Sequence, residues 1–258
     1  MANSRKTAIV TGAGSGIGAA VATVLARRGW AVIVNYAHNR EGAEAVAIAC
    51  REAGGEAIAA QGDVARDEDC RALAALAQTR FGRLDALVNN AAVTKFASPA
   101  DLEALTAEDF QRLYAVNVVG AFQMARAAAP ALRASGAGAI VNISSFAGLK
   151  GFGSSLAYAA SKGALNTLTL GLARVLAPEI RVNALCPSFA NTEWLAKGLG
   201  RSASLEQMAK VADAAPLKRV AEPEDVADAA CWLIEGARHV TGALLTLDGG
   251  LHLTTALD

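Results

Sequence analysis

Short apolar runs alternate along the chain with longer stretches whose apolar positions recur every three to four residues. Residues 6–11 (K-T-A-I-V-T), 31–36 (A-V-I-V-N-Y), 56–61, 84–89 (L-D-A-L-V-N), 139–144 (A-I-V-N-I-S), 180–186 and 243–247 read as strands. Between them, 16–28, 40–53, 67–81, 106–133, 155–177 and 223–235 read as helices, three of them stopped by glycine at Gly29, Gly54 and Gly82. Thr106 followed by Asp109 forms a capping-box pattern at the head of the longest one. Most of the strands are apolar at nearly every position rather than at every second one. Strands of that kind are covered on both faces, so the pattern predicts an α/β fold: a doubly wound parallel sheet in a single Rossmann-type domain. No linker or shift in composition divides the chain, and one domain is expected over residues 1–258. The rhythm breaks only at 188–219, a long stretch without a clear period between a strand and the next helix. Connections of that length are usually functional.

Composition narrows the function without naming it. Hydrophobic residues make up 53% of the 258 positions and charged residues 19%, which places the chain among folded globular proteins. Lys and Arg number 24 and Asp and Glu 24, so there is no global field to attract nucleic acid or an anionic membrane. Cys50, Cys70, Cys186 and Cys231, like His38, His239 and His252, are scattered. They show neither metal-ligand spacing nor a disulfide framework, and the cysteines read as small core hydrophobes. The strand pattern beginning at Lys6 leaves no room for a signal peptide, and the longest uncharged stretch, 134–149, is too short and polar to span a bilayer. A cytoplasmic protein is expected.

The first stretch with chemistry in it is Thr11-Gly12-Ala13-Gly14-Ser15-Gly16-Ile17-Gly18, directly after a strand and opening a helix. Glycines let the backbone turn tightly, and the helix start offers free N–H groups and a positive dipole end to a pyrophosphate. The glycine spacing alone fits two registers. Downstream, Asn89-Asn90-Ala91-Ala92 follows a strand, Asn117 lies within the long helix, Ser144-Ser145 ends a strand, and Tyr158 and Lys162 share the face of the helix after it. A free Tyr is too weak a base at neutral pH, and a cation at close range is expected to lower its pKa into a working range.

These stretches together resemble the short-chain dehydrogenase/reductase family over essentially the whole chain. The resemblance rests on T-G-x-x-x-G-x-G, N-N-A-x, the helix Asn, S-x12-Y-x3-K, P-x-x-x-x-T at 187–192 and D-G-G at 248–250, in family order and spacing. Ala92 and Ser188 stand where the family usually has glycine. The resemblance implies a catalytic set of Asn117, Ser145, Tyr158 and Lys162. Tyr158 is then proton donor or base, Lys162 lowers its pKa and holds the nicotinamide ribose, Ser145 orients the substrate oxygen, and Asn117 supports a water-linked proton path. Ser144 competes with Ser145 but is one residue out of register. The implied cofactor contacts are Gly12, Ser15, Gly16, Ile17, Gly18, His38, Asn39, Asp63, Val64, Asn90, Ala91, Tyr158, Lys162, Pro187, Ala190 and Thr192, with no metal.

No Asp or Glu occurs between Val32 and Arg40, where relatives specific for NAD usually carry an acid. His38, Asn39 and Arg40 supply donors or charge instead, so NADP(H) is favoured; Ser15, where many NADP-dependent relatives have Arg or Lys, keeps NAD open. The segment at 188–219 resembles the family's mobile substrate flap, with Phe96, Phe152 and Gly153 candidates for the same cleft. The substrate is expected to be a small carbonyl or alcohol. A 3-oxoacyl-carrier-protein reductase and a sugar or polyol (glucose dehydrogenase-like) dehydrogenase are the alternatives, and the intact Ser–Tyr–Lys set speaks against a non-enzymatic dinucleotide sensor. Helices 106–133 and 155–177 carry apolar residues on more than one face, which with the resemblance predicts a homo-oligomer, dimer or tetramer. The tail 251–258 is a candidate for a second contact.

Overall fold

Seven parallel strands form the centre of the molecule, in the order β3-β2-β1-β4-β5-β6-β7. They are β1 (Thr7–Val10), β2 (Ala31–Tyr36), β3 (Glu56–Gln61), β4 (Ala86–Asn89), β5 (Gly138–Ile143), β6 (Ile180–Pro187) and β7 (Leu244–Leu247). The computed structural model describes residues 5–254, so the last four residues of the candidate contact tail lie outside the described residues. The helices are α1 (Gly16–Arg27), α2 (Arg40–Glu52), α3 (Asp67–Phe81), α4 (Ala107–Tyr114), α5 (Ala121–Ala134), α6 (Ala147–Lys150), α7 (Leu156–Leu176), α8 (Glu193–Leu199), α9 (Arg201–Ala214) and α10 (Pro223–Glu235).

The period-two geometry of a strand explains why these runs are apolar throughout. Ile9, Ile33, Leu87, Ile140 and Val182 point to one face, into a core with Leu73, Met124, Leu132 and Leu172 from α3, α5 and α7. Their neighbours Val10, Val32, Val34, Val88, Val141 and Leu185 point to the other, against residues of α1, α2 and α10 such as Val21, Leu25, Ala47, Val226 and Leu233. The doubly wound parallel sheet expected from the pattern is the fold observed. The chain builds β1, β2 and β3 outward on one side, then crosses back to place β4 on the other side of β1. The carboxyl ends of β1 and β4 therefore flank the topological switch point, where open α/β sheets bind ligands.

Two expectations about the helices change. The stretch 106–133 is not one α-helix. Thr106 and Asp109 do form the capping box, with Thr106 Oγ1 accepting the Asp109 N–H at 3.3 Å and Asp109 Oδ2 accepting the Thr106 N–H at 3.0 Å. After Tyr114, however, Ala115–Gly120 makes a turn of π-helix before α5 begins. Such wide turns cluster at functional sites, and this one contains Asn117. The second change is at 188–219, which is not an irregular loop but holds α8 and α9 separated at Gly200. Among the described residues no helix is long and apolar enough to cross a membrane.

Candidate active site

Side chains at the strand ends lock the loops around the switch point. Thr11 Oγ1 accepts the N–H groups of Asn90 and Ala91, both at 3.0 Å, and Asn90 Nδ2 donates to the carbonyls of Thr11 and Gly12 at 2.9 and 3.0 Å. Asn35, buried in β2, accepts the Gly12 N–H at 3.2 Å and donates to the Gly62 carbonyl at 2.9 Å. The loops after β1, β3 and β4 are thus tied to one another through two asparagines and a threonine. Gly16, at φ +56, turns the chain into α1, a conformation that a side chain would strain. Ser15 begins that helix without a side-chain cap, and no acidic residue lies in its first turn. The open N–H groups fit the pyrophosphate of a dinucleotide.

The reacting groups come from the other side of the sheet. β4 and β5 pair Asn89 with Asn142, and Asn89 Nδ2 donates to Asn142 Oδ1 at 2.9 Å while Asn142 reaches Thr169 at 2.8 Å. At the end of β5, Ser144 is buried and donates to Asn166 Oδ1 at 2.6 Å, which leaves it no role toward a ligand. Ser145 is half-buried, and its hydroxyl accepts the Ala147 N–H at 3.1 Å and lies close enough to Tyr158 to bear on its pKa. Helix α6 lies against α7 so closely that a Cβ on Gly148 would fall 2.5 Å from the Lys162 carbonyl carbon. That contact sets Ser145, ahead of α6, opposite Tyr158 on α7.

Lys162 is 2% exposed, with its Nζ donating to the Ile143 carbonyl at 2.8 Å and lying 5.7 Å from the centre of the Tyr158 ring. Burial brings its pKa down to about 8. Tyr158 departs from expectation. Burial pushes its pKa up to about 12, against a smaller lowering by Ser145. No lowering by Lys162 offsets this, its ammonium being turned toward the Ile143 carbonyl. Asn117 is buried by the π turn, accepts the Val93 N–H at 2.8 Å, and donates to the Val93 carbonyl and Ser161 Oγ, both at 3.0 Å. It braces the extended segment after β4 against α7.

The remaining positions divide by whether their polar groups are already occupied. Asn39 Nδ2 donates to the Gly14 carbonyl at 3.1 Å and its Oδ1 accepts the Gly42 N–H at 3.1 Å, so it caps α2 and holds the glycine segment from behind. His38 and Arg40 beside it are exposed, and the Arg40 side chain has no hydrogen bond or ion pair among the described residues. Asp63 Oδ1 accepts the Ala65 N–H at 3.0 Å, and buried Val64 offers its carbonyl to Gln123 at 2.8 Å. Pro187 ends β6, Ala190 forms a bridge to Ala221, and Thr192 faces Gly16.

Above them sit features that sequence spacing did not point to. Trp194 of α8 lies with its ring centre 6.4 Å from that of Tyr158. Phe96 packs on the backbone of Gly198, where any Cβ would overlap its ring. Phe152 meets Phe146 edge-on, and this pair anchors the C-terminal end of α9 through Val211 and Ala215. Only the run of aromatic residues at Phe96, Phe152 and Trp194 hinted at such a cover.

A glycine-rich turn at the switch point thus has Ser145, Tyr158 and Lys162 beside it. Comparison with known proteins gives the family: the chain belongs to the short-chain dehydrogenase/reductase family. Residues 12–252 match the family model described as enoyl-(acyl carrier protein) reductase. A protein named as ketoacyl reductase 2 of the granaticin polyketide synthase, from Streptomyces violaceoruber, is 41% identical over 95% of this chain and 96% of its own. The cis-4-hydroxycyclohexanecarboxylate dehydrogenase of Sinomonas cyclohexanicum is 39% identical over 95% of this chain and 96% of its own. A crystal structure of a short-chain dehydrogenase/reductase from Burkholderia xenovorans superposes with a TM-score of 0.90 at 40% identity, covering 98% of this chain and 100% of that one.

Proposed function

We propose that the chain transfers a hydride between NADP(H) and a carbonyl or secondary alcohol, with Tyr158 handling the proton. What carries this reading is Tyr158 beside Ser145, with the buried Lys162 behind its ring, at the same strand-end edge as the open start of α1. The dinucleotide, when bound, supplies or accepts the hydride. Gly12, Ser15, Gly16, Ile17 and Gly18 would hold its pyrophosphate, Asp63 and Val64 its adenine side, and Asn90, Ala91, Lys162, Pro187 and Ala190 its nicotinamide side, with Thr192 beside Gly16 between pyrophosphate and nicotinamide. Exposed His38 and unpaired Arg40 favour a 2′-phosphate, while Asn39 contributes through the loop it braces.

A phenol with its pKa near 12 is protonated at neutral pH, so Tyr158 is ready to donate to a carbonyl oxygen. Ser145 would bond the same oxygen and orient it. Lys162, cationic below about pH 8, would stabilise the phenolate left behind. Asn117 is a positioning residue that fixes Ser161 and the Val93 backbone around them. In this reading residues 188–219 form the substrate flap of a single catalytic domain. Oxidation of reduced dinucleotide followed over a panel of ketones tests the proposal, with Tyr158→Phe as control; turnover by the variant at the wild-type rate would overturn it.

A second reading, reduction of a 3-oxoacyl group on a carrier, is supported by the name of the Streptomyces relative and the description of the family model. Against it, Arg126, the obvious candidate to meet an acidic carrier, is engaged with Asp67 at 2.6 Å. Acyl-thioester substrates in the same panel decide between the two. The proposal extends to a cytoplasmic location, which fractionation tests, and to a homodimer or homotetramer. Leu113, Met124, Leu165 and Leu172 are buried within the subunit, but Phe110, Phe122, Leu170 and Val175 on the same helices are exposed and available to a second copy. Light scattering giving the mass of one 26.3 kDa chain would exclude that assembly.

A further inference from the structure

Between the glycine segment and the flap lies a cavity of about 310 Å³, walled by Gly16 on one side and by Thr192, Arg201 and Ser204 on the other. That volume is at the lower end of the range for small-molecule sites. Asn191 on its wall donates to Glu222 at 3.1 Å, but three other polar side chains have no partner among the described residues. Ser204 is 2% exposed, yet its hydroxyl has no hydrogen bond among the described residues. Thr192 begins α8 without using its hydroxyl as a cap. Arg201 stands at the first position of α9, whose start is likewise uncapped, and it forms no ion pair among the described residues. With no protein partner and so little exposure, the Ser204 hydroxyl has only the contents of this cavity to bond. Here one hydroxyl at this depth, a second beside it, a guanidinium and the starts of α1 and α9 converge on one space. Glu193 is the carboxylate on the same wall, and an anion in the cavity would have to keep clear of it.

We propose that this cavity is an anion seat in which Arg201, Ser204 and Thr192 take the pyrophosphate of the dinucleotide from the flap side. The proposal rests on the dinucleotide reading above and adds to it that α9 is a wall of the cofactor site rather than only of the substrate cleft. Gly16 selects the cofactor as the source of the phosphate, because the cavity opens on the segment that would hold it. Ordering of the flap then follows from cofactor binding before any substrate arrives.

Fluorescence titration of NADPH and NADH at low and moderate salt, without substrate, tests this. Arg201→Gln should weaken both dinucleotides about tenfold, the scale for losing a charge-assisted hydrogen bond, and should flatten the salt dependence. Arg201→Lys should recover most of the loss. Ser204→Ala, which keeps the helix, should cost about threefold. Glu193→Gln should leave binding unchanged or tighten it. Hydrogen exchange supplies a readout that does not depend on affinity: saturating NADPH should slow the amides of α9 in the wild-type chain and much less in Arg201→Gln, with the unliganded melting temperatures equal. Wild-type affinity in Arg201→Gln for both dinucleotides would overturn the proposal. So would a loss confined to NADPH, which would place Arg201 at the 2′-phosphate. If the wild-type chain binds neither dinucleotide, the parent reading falls, and this one with it.

Discussion

At the carboxyl ends of β1, β4 and β5 most polar side chains are buried or half-buried and answered by partners, with Asn89 Oδ1 and Asn166 Nδ2 the atoms left over among the described residues. Asn35, Asn90, Asn117, Asn142 and Ser144 each hold backbone or another buried side chain in place. Over the same site, in 188–219, the pattern is reversed: Trp194 is 38% exposed, and the side chains of Arg201 and Ser204 have no polar partner among the described residues. Removing a member of the first region leaves a buried group unsatisfied, which costs free energy, whereas the second region is free to rearrange around what it binds. The floor fixes the reacting groups, and the cover is left to meet the ligands.

The sharpest test of that division is Tyr158→Phe. It deletes one hydroxyl from the floor and should lower kcat by about 10²–10⁴-fold with little change in melting temperature. Next comes Gly148→Ala. The added methyl would meet the backbone of α7 at Lys162, a contact that no rotamer relieves, and should destabilise the fold by about 3 kcal/mol in denaturant titration. A methyl accepted there at no cost would mean that α6 is as adaptable as the flap.

Lys162 offers a test of smaller size through pH. The folded chain gives up this proton near pH 8, whereas the unfolded chain keeps it until about 10.5. Unfolding therefore binds a proton in that window, and stability rises with pH across it. Between pH 8 and 9.5 the wild-type chain should gain about 2 kcal/mol relative to Lys162→Met, measured by denaturant titration at each pH. Parallel curves would mean that Lys162 is solvated and that the floor is wetter than its geometry indicates. The smallest effect belongs to the cover. Gly198→Ala should cost about 1 kcal/mol, because the opposing Phe96 ring ends a side chain that can swing away, and should appear chiefly in KM. Phe96→Ala in the same chain should restore the stability.

How much of this could be read beforehand follows the same line. Runs such as Ala31–Tyr36 announce buried strands through composition alone, and Tyr158 and Lys162 announce themselves by i,i+4 spacing on one helix. The π turn was not legible, since Ala-Val-Asn-Val-Val-Gly has the composition of an ordinary helix and the wide turn is imposed by what Asn117 bonds across space. Helix α9 escaped because only Ser204 and Val211 of its residues are buried, too few to mark an apolar stripe. The raised pKa of Tyr158 is not legible for a related reason: spacing places a cation near the phenol, but only the folded surroundings say how much water is lost.

The wide turn at Ala115–Gly120 also bears on how this chain tolerates changes in length. A π turn holds one more residue than an α turn over the same rise, so it stores a surplus position inside a helix. Deleting one residue from an ordinary helix rotates everything beyond it by about 100°, which would swing Met124 and Leu132 of α5 off the sheet. Deleting one here would instead let the turn relax to regular geometry with α5 still facing the core, while the Asn117 bonds to Val93 and Ser161 are lost. The folded shape and the braced site are thus separable at this one place by a single codon.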